Sequence, residues 1–323
     1  MEHRSLLSFL LLISLLGLSD AIGRHREHPP ASPPRFAEAM KAELDLSYEF
    51  SIPGTTPFVR FVVVLPKSIE GRQEILNVRF SPQPQGSFRK NGNDYAQFIF
   101  FEPEKKFEVK INIKAVLFRY DLSIARTRPQ IHPADRSALK DFLKNENFVE
   151  KDDPFIQQIA SGIKAGSDVD IVKGIYGYVV KNVNYSGYNN KDLGALYAAR
   201  QKKGDCTEYA DLFAALCRAR DIPARVVDGY TAVSHNTPAH TWVEVYLDKY
   251  GWVPFDPAFG DVQGGPPQPF DLLGPIYVHF SHVRNDDALN NYHFSSYYYH
   301  GDKITVTDSA KVKASVINER TLR

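Results

Sequence analysis

Gly204-Asp205-Cys206-Thr207-Glu208-Tyr209-Ala210, running on through Leu212-Phe213-Ala214-Ala215-Leu216-Cys217 to Ile222-Pro223, is the stretch from which the rest of the chain can be read. The Gly-Asp pair stops the chain ahead of Cys206. Pro223 disfavours helix in the residue before it, so a helix is predicted from Cys206 to about Arg220. Asp205 and Glu208 have the spacing of a capping box, which makes Asp205 the N-cap and Cys206 the first helical residue. A thiol there faces unpaired backbone N–H groups and the positive end of the helix dipole, and both favour thiolate. The two neighbouring carboxylates oppose this, so a working nucleophile needs a base.

His240, in His-Thr-Trp-Val-Glu-Val-Tyr, and Asp256, in Gly-Trp-Val-Pro-Phe-Asp-Pro, supply a base and a carboxylate to orient it. Nucleophilic acyl transfer needs these three groups: the thiol attacks, the imidazole carries the proton, and the carboxylate fixes the imidazole. Taken singly, each has a plain structural reading, as a buried helical Cys or a structural His or Asp. It is their order on helix, strand and strand that points to chemistry. His235, in the loop leading to His240, is the second candidate base.

These motifs resemble the transglutaminase-like superfamily, relatives of the papain-type cysteine proteases. The likeness rests on G-D-C-T-E-Y-A, on the run to I-P-A-R-V-V-D-G-Y, on H-T-W-V-E-V-Y and on G-W-V-P-F-D-P-A, and covers roughly residues 130–260. It implies a core with Cys206, His240 and Asp256 as a triad acting on amide or ester bonds through a thioester. The superfamily includes cross-linkers, peptidases, amidases and forms without catalysis, so the reaction stays open. Animal enzymes of the family carry Trp directly after the Cys, where this chain has Thr207. That departure, and the lack of a D-x-D-x-D-G calcium loop, favours hydrolysis over cross-linking.

The 323 residues leave room for two domains, and 39 Lys and Arg against 38 Asp and Glu give no basic surface for nucleic acid. An apolar run from Leu6 to Gly17, followed by Ser19-Asp20-Ala21, is expected to be an export signal over 1–21. After cleavage no membrane insertion is expected, and the location is secreted or periplasmic. Cys206 and Cys217, the chain's two cysteines, lie ~16 Å apart on one predicted helix at ~1.5 Å per residue. They cannot form a disulfide with each other. An unpaired thiol in an oxidising compartment asks for a reason. Burial in an apolar helix gives Cys217 one, but not Cys206.

Residues 22–37 read as a Pro-rich linker, with a short helix expected near Ala37–Glu43. Within a domain expected over 38–127, the pattern from Leu44 to about Ile124 is of strands, clearest in K-F-E-V-K-I-N-I-K at Lys106–Lys114, where apolar and polar residues alternate. A β-sandwich is expected there, resembling the β domain preceding the core in bacterial relatives; it reads as a structural partner ahead of the alternative, substrate docking or shielding of the cleft. Arg126–Pro133 reads as a linker. Helices are predicted at Ala134–Asn145, Asp153–Ala165, Val169–Val183 and Asp192–Lys202. Ile276–Val283 and Ile304–Val312 are expected to be further strands closing the core sheet, within a catalytic domain spanning 128–323.

Trp242 and Trp252 are expected to wall the cleft or fill the core. His279, His282, His293 and His300 lack the close spacing of a zinc site. The hairpin is a point of tension. If Leu247 pairs with Trp252, Asp256 faces away from His240; if Tyr246 pairs with Trp252, or a bulge intervenes, the two share a face.

The fold expected is therefore α+β, an N-terminal antiparallel β-sandwich followed by a papain-like transglutaminase core with helices packed on an antiparallel sheet. The function expected is thiol-dependent acyl transfer on protein or peptide amides, which requires no cofactor. The rival is a non-catalytic binding or scaffold protein on the same fold. The sequence does not specify the substrate, the second oxyanion donor or the oligomeric state.

Overall fold

From Ala39 the side chains alternate, with Met40, Ala42, Leu44, Leu46, Tyr48 and Phe50 all buried, and the backbone runs as one strand to Ser51. The computed structural model describes residues 38–125, 136–232, 239–260 and 269–317. The expectations placed on residues 1–37, on the linker after Arg126 and on the loop holding His235 lie outside the described residues. Of the helix expected near Ala37–Glu43, the part from Ala39 is instead the start of this strand. Ala, Met, Lys and Glu are all good helix formers, but such local preference amounts to tenths of a kcal/mol per residue, and pairing along both edges of the strand overrides it.

The first half supplies six strands: β1 (Ala39–Ser51), β2 (Phe58–Leu65), β3 (Gln73–Ser81), β4 (Gly86–Lys90), β5 (Asn93–Phe101) and β6 (Lys106–Phe118). The core follows with helices α1 (Pro154–Gly162), α2 (Asp168–Asn182), α3 (Gly194–Gln201) and α4 (Cys206–Arg218). Its strands are β7 (Ala224–Thr231), β8 (Ala239–Leu247), β9 (Gly251–Phe255) and β10 (Tyr277–Ser281). Two more strands end the chain, β11 (Ser295–His300) and β12 (Thr305–Val316).

The sandwich consists of two four-stranded sheets, ordered β12-β1-β6-β3 and β11-β2-β5-β4. β12 was expected in the core sheet, but it pairs antiparallel with β1 from Met40↔Val316 to Ser51↔Thr305. β11 likewise pairs with β2. The strands expected over 38–127 therefore leave edges that the chain's own end covers. An unpaired strand edge presents a row of unsatisfied backbone groups, and periodicity alone cannot say which edge a distant strand will satisfy. Phe50 sits at the centre of the aromatic core, stacked on Phe107 at 4.5 Å and edge-on to Phe61 at 5.4 Å and Tyr297 at 6.3 Å. It thereby joins strands from both ends of the chain.

The core sheet has the order β9-β8-β7-β10, so Ile276–Val283 does join it as expected. Its central strand β8 is buried almost throughout. Val243, Val245 and Leu247 pack with α4 and the helices, while Trp242 packs with the residues of the sandwich core. Glu244, also on the Trp242 side, accepts from Arg72, just ahead of β3, and from Arg225 on β7 (Nε 2.8 Å). Burial resists ionisation of Glu244, and the two guanidiniums outweigh it, holding the carboxyl well below its usual range. The hairpin closes with Tyr246 opposite Trp252 and Leu247 opposite Gly251, whose φ of +70° suits glycine. One step beyond Phe255, which pairs with Val243, Asp256 comes level with Trp242 and so falls on the face of His240.

Phe50→Ala should lower stability by about 3–5 kcal/mol, the usual cost of deleting a buried aromatic ring. The check is chemical denaturation. A loss under ~1 kcal/mol would mean that the two ends of the chain do not share one packed core.

Candidate active site

The site begins at the first turn of α4. The Asp205 side chain accepts from Thr207 N at 2.8 Å, and Glu208 Oε2 accepts from Asp205 N at 2.9 Å, so the capping box is complete. The other oxygens of the same carboxylates reach outward, Asp205 to Asn189 N (3.2 Å) and Glu208 to Leu193 N (3.0 Å). They tie the preceding loop onto the helix start. Burial and the neighbouring Asp205 raise the proton affinity of Glu208. Gly204 has to lack a side chain, because a Cβ there would lie 2.4 Å from that of Glu208. Cys206 is thereby presented at the helix N-terminus, 3% exposed.

His240 lies at the start of β8, and its Nε2 donates to Asp256 Oδ2 at 2.7 Å. Its side chain also hydrogen-bonds Cys206, and with Nε2 taken by the carboxylate this leaves Nδ1 for the thiol. The structure thus brings Cys206, His240 and Asp256 into one chain of contacts. Burial opposes charging of the ring, but Asp256, Cys206 and the hydrogen bonds to both outweigh it. The result is a pKa pushed up to about 10.

Asp256 is fixed from four directions. Its Oδ1 accepts from Ala258 N (3.0 Å) and Phe259 N (3.1 Å), capping the short helix Pro257–Gly260. Its Oδ2 accepts from His240 and from the Tyr277 hydroxyl (2.7 Å). An Asp-Pro pair is a helix-start signature, so the sequence carried a signal for the cap. It carried none for Tyr277, which arrives from β10. Phe259 lies against the imidazole at 4.8 Å between ring centres, and Trp242 lies nearly parallel to it at 6.3 Å. Room for Trp242 depends on Gly229, the cross-strand partner of His240. A Cβ there would strike the Val278 carbonyl at 2.1 Å and the Trp242 ring at 2.5 Å.

Cys217 is fully buried in α4, and burial pushes its thiol up. His279 and His282 are buried beside Glu244 and Arg225, and burial holds them neutral, near 3 and 2 respectively. His300 is exposed on β11. Trp252 packs under the Arg225 guanidinium at 4.1 Å.

Residues 156–257 match the transglutaminase-like superfamily. A segment of the chain is 37% identical over 68 residues to protein-glutamine gamma-glutamyltransferase of Pseudomonas aeruginosa, covering 18% of this chain and 10% of that one. The chain is also 39% identical over 72 residues to peptide-N(4)-(N-acetyl-beta-glucosaminyl)asparagine amidase of Drosophila melanogaster, covering 22% of this chain and 10% of that one. The chain therefore spans about a tenth of the length of these curated relatives. A solved structure from Cytophaga hutchinsonii, provisionally assigned as a cysteine protease, superposes over 87% of this chain and 92% of that one. Its TM-score is 0.61 at 20% identity, which shows a shared fold.

The folded His240 ring keeps its proton to about pH 10, whereas an unfolded histidine releases it near ~6.5. The stabilisation gained by the imidazolium is therefore whole below ~6.5 and is lost as pH rises through 10. Thermal melting of the native protein and of His240→Gln should show a stability difference that shrinks over that range. A difference that stays level with pH would mean the ring is neutral in the fold.

Proposed function

We propose that this chain, whose core at residues 156–257 is of the transglutaminase-like superfamily, is an enzyme that transfers acyl groups from protein or peptide amides through a Cys206 thioester. The observation that carries this reading is the run of contacts Cys206–His240–Asp256, with the thiol at the capped start of a buried helix.

In this reading the Cys206 sulfur attacks the carbonyl carbon of the amide while His240 holds the proton at Nδ1. The tetrahedral oxyanion accepts from the Cys206 backbone N–H at the positive end of the helix. As the C–N bond breaks, His240 gives its proton to the departing amine, leaving a thioester. Water or a second amine then attacks that thioester, His240 takes the incoming proton, and the thiolate is released. Asp256 on Nε2 keeps the ring in one orientation and stabilises the imidazolium; Tyr277 and the two backbone N–H groups hold Asp256.

Between the two acceptors we favour water, because Thr207 stands where the animal cross-linking enzymes carry Trp. We place the working protein outside the cytoplasm, on the strength of the apolar run Leu6–Gly17 followed by small residues. Among the described residues, no helix is long and apolar enough to cross a membrane. In the rival reading, a scaffold protein, the same residues serve only to pack.

The test begins with the two thiols. Alkylation of the folded protein with iodoacetamide at about pH 6, where a free thiol is almost wholly protonated, should modify Cys206 and spare Cys217. His240→Ala should slow it by about 100-fold or more. A native Cys206 as inert as Cys217, or indifferent to His240→Ala, would leave the scaffold reading. Product analysis with a glutamine-containing peptide and a primary amine then separates the two acceptors. Deamidation is expected to exceed amine incorporation, with or without calcium; the reverse would make the chain a cross-linker.

A further inference from the structure

Thr207 and Asp211 stand four apart on α4 and so share a face. Both are buried, and that face meets a polar cluster that the proposed chemistry does not use. Thr241 on β8 donates its hydroxyl to Asp228 Oδ1 on β7 at 2.8 Å, and the two are cross-strand partners. Thr241 Oγ1 also lies 3.4 Å from Thr207 Oγ1 on the helix.

Asp228 is held in turn. His293 Nδ1 lies 2.8 Å from Asp228 Oδ1, and its Nε2 lies 2.8 Å from Asp192 Oδ2. Arg284 forks onto Asp211 at 3.0 and 3.1 Å, reaches Asp192 at 3.1 Å and lies over the Phe148 ring at 4.5 Å. Arg284 and His293 both lie on the segment between β10 and β11, along which the chain leaves the core sheet for the sandwich.

Burying this many charges is a poor way to gain stability, since apolar side chains of equal volume often serve as well. Hydrogen bonds offer direction instead. Thr207 directly follows Cys206, and Thr241 directly follows His240. On a strand, neighbouring side chains point to opposite faces, so a roll that moves Thr241 also swings His240. We propose that Thr241, anchored by Asp228 and through it by His293, is a positioning residue that acts with Thr207 to fix the nucleophile helix against the base strand. The inference rests on reading Cys206 as the nucleophile. It makes the segment carrying His293 a brace between the sandwich and the site.

The test is Thr241→Val, which keeps the shape and removes the hydroxyl, with Thr241→Ser as the rescue. The readouts are the second-order rate of Cys206 alkylation by iodoacetamide across pH 5–8 and the melting temperature. Thr241→Val should slow alkylation at about pH 6 by about tenfold or more, within the ~100-fold that a ~1 Å misplacement can cost. Thr241→Ser should restore the rate to within about twofold of the native one. A melting temperature that falls while the alkylation profile stays unchanged would overturn the inference and leave the cluster purely structural. If Thr241→Val does not melt cooperatively, His293→Gln is judged by the same loss of rate at Cys206. An inert Cys206 in the native protein would overturn this inference together with the proposed function. A reactive, His240-dependent Cys206 that ignores both variants would overturn this inference alone.

Discussion

Strand Ala239–Leu247 has no wet face, and the rest of the core is arranged to meet what its two sides require. An alternating sequence puts Val243, Val245 and Leu247 toward the helices and leaves Trp242, Glu244 and Tyr246 on the other side. That second side carries a carboxylate into a dry interior, where an unpaired charge is prohibitively costly. Arg225 from the next strand and Arg72 from the sandwich answer it, so the β-sandwich completes the electrostatics of the core sheet. Glu244 is therefore the residue through which one half of the chain requires the other.

The same strand begins with His240, and burial has a second consequence there. In water an imidazole near a carboxylate gains little, because solvent screens the pair. Here the ring is enclosed by Phe259, Trp242 and Tyr277, and the Asp256 carboxylate is already saturated by backbone and hydroxyl donors. Attraction to Asp256 and Cys206 then exceeds the cost of desolvating the charge. Several rigid partners for each group are what a reactive pair needs to hold one geometry.

Two buried polar systems thus lie on opposite sides of one sheet. One is the Glu244 set, facing the sandwich, and the other is the Asp228–His293–Arg284 set, facing helix α4. Both draw residues from outside the core segment matched to the superfamily, residues 156–257. The return of the chain through β11 and β12 into the sandwich fixes where Arg284 and His293 are delivered. The terminal strands, far from the site in sequence, are in this sense part of its support.

The sequence by itself determined what is local. Asp205, Cys206 and Glu208 specified the helix start, because a capping box closes within four consecutive residues and needs nothing from afar. Alternation in β6 and β8 specified strands and their inner faces. The order of thiol, imidazole and carboxylate specified a candidate site. Tertiary structure alone decided what depends on distant partners. Alanine, methionine and lysine near residue 40 spell helix locally, yet two neighbouring strands made them sheet. The edge that β12 would cover, the hydroxyl of Tyr277 on Asp256, and the pairing of Tyr246 with Trp252 that brings Asp256 round to His240 were likewise open. Each is a choice among equivalent hydrogen-bonding groups, and only the packed chain distinguishes them.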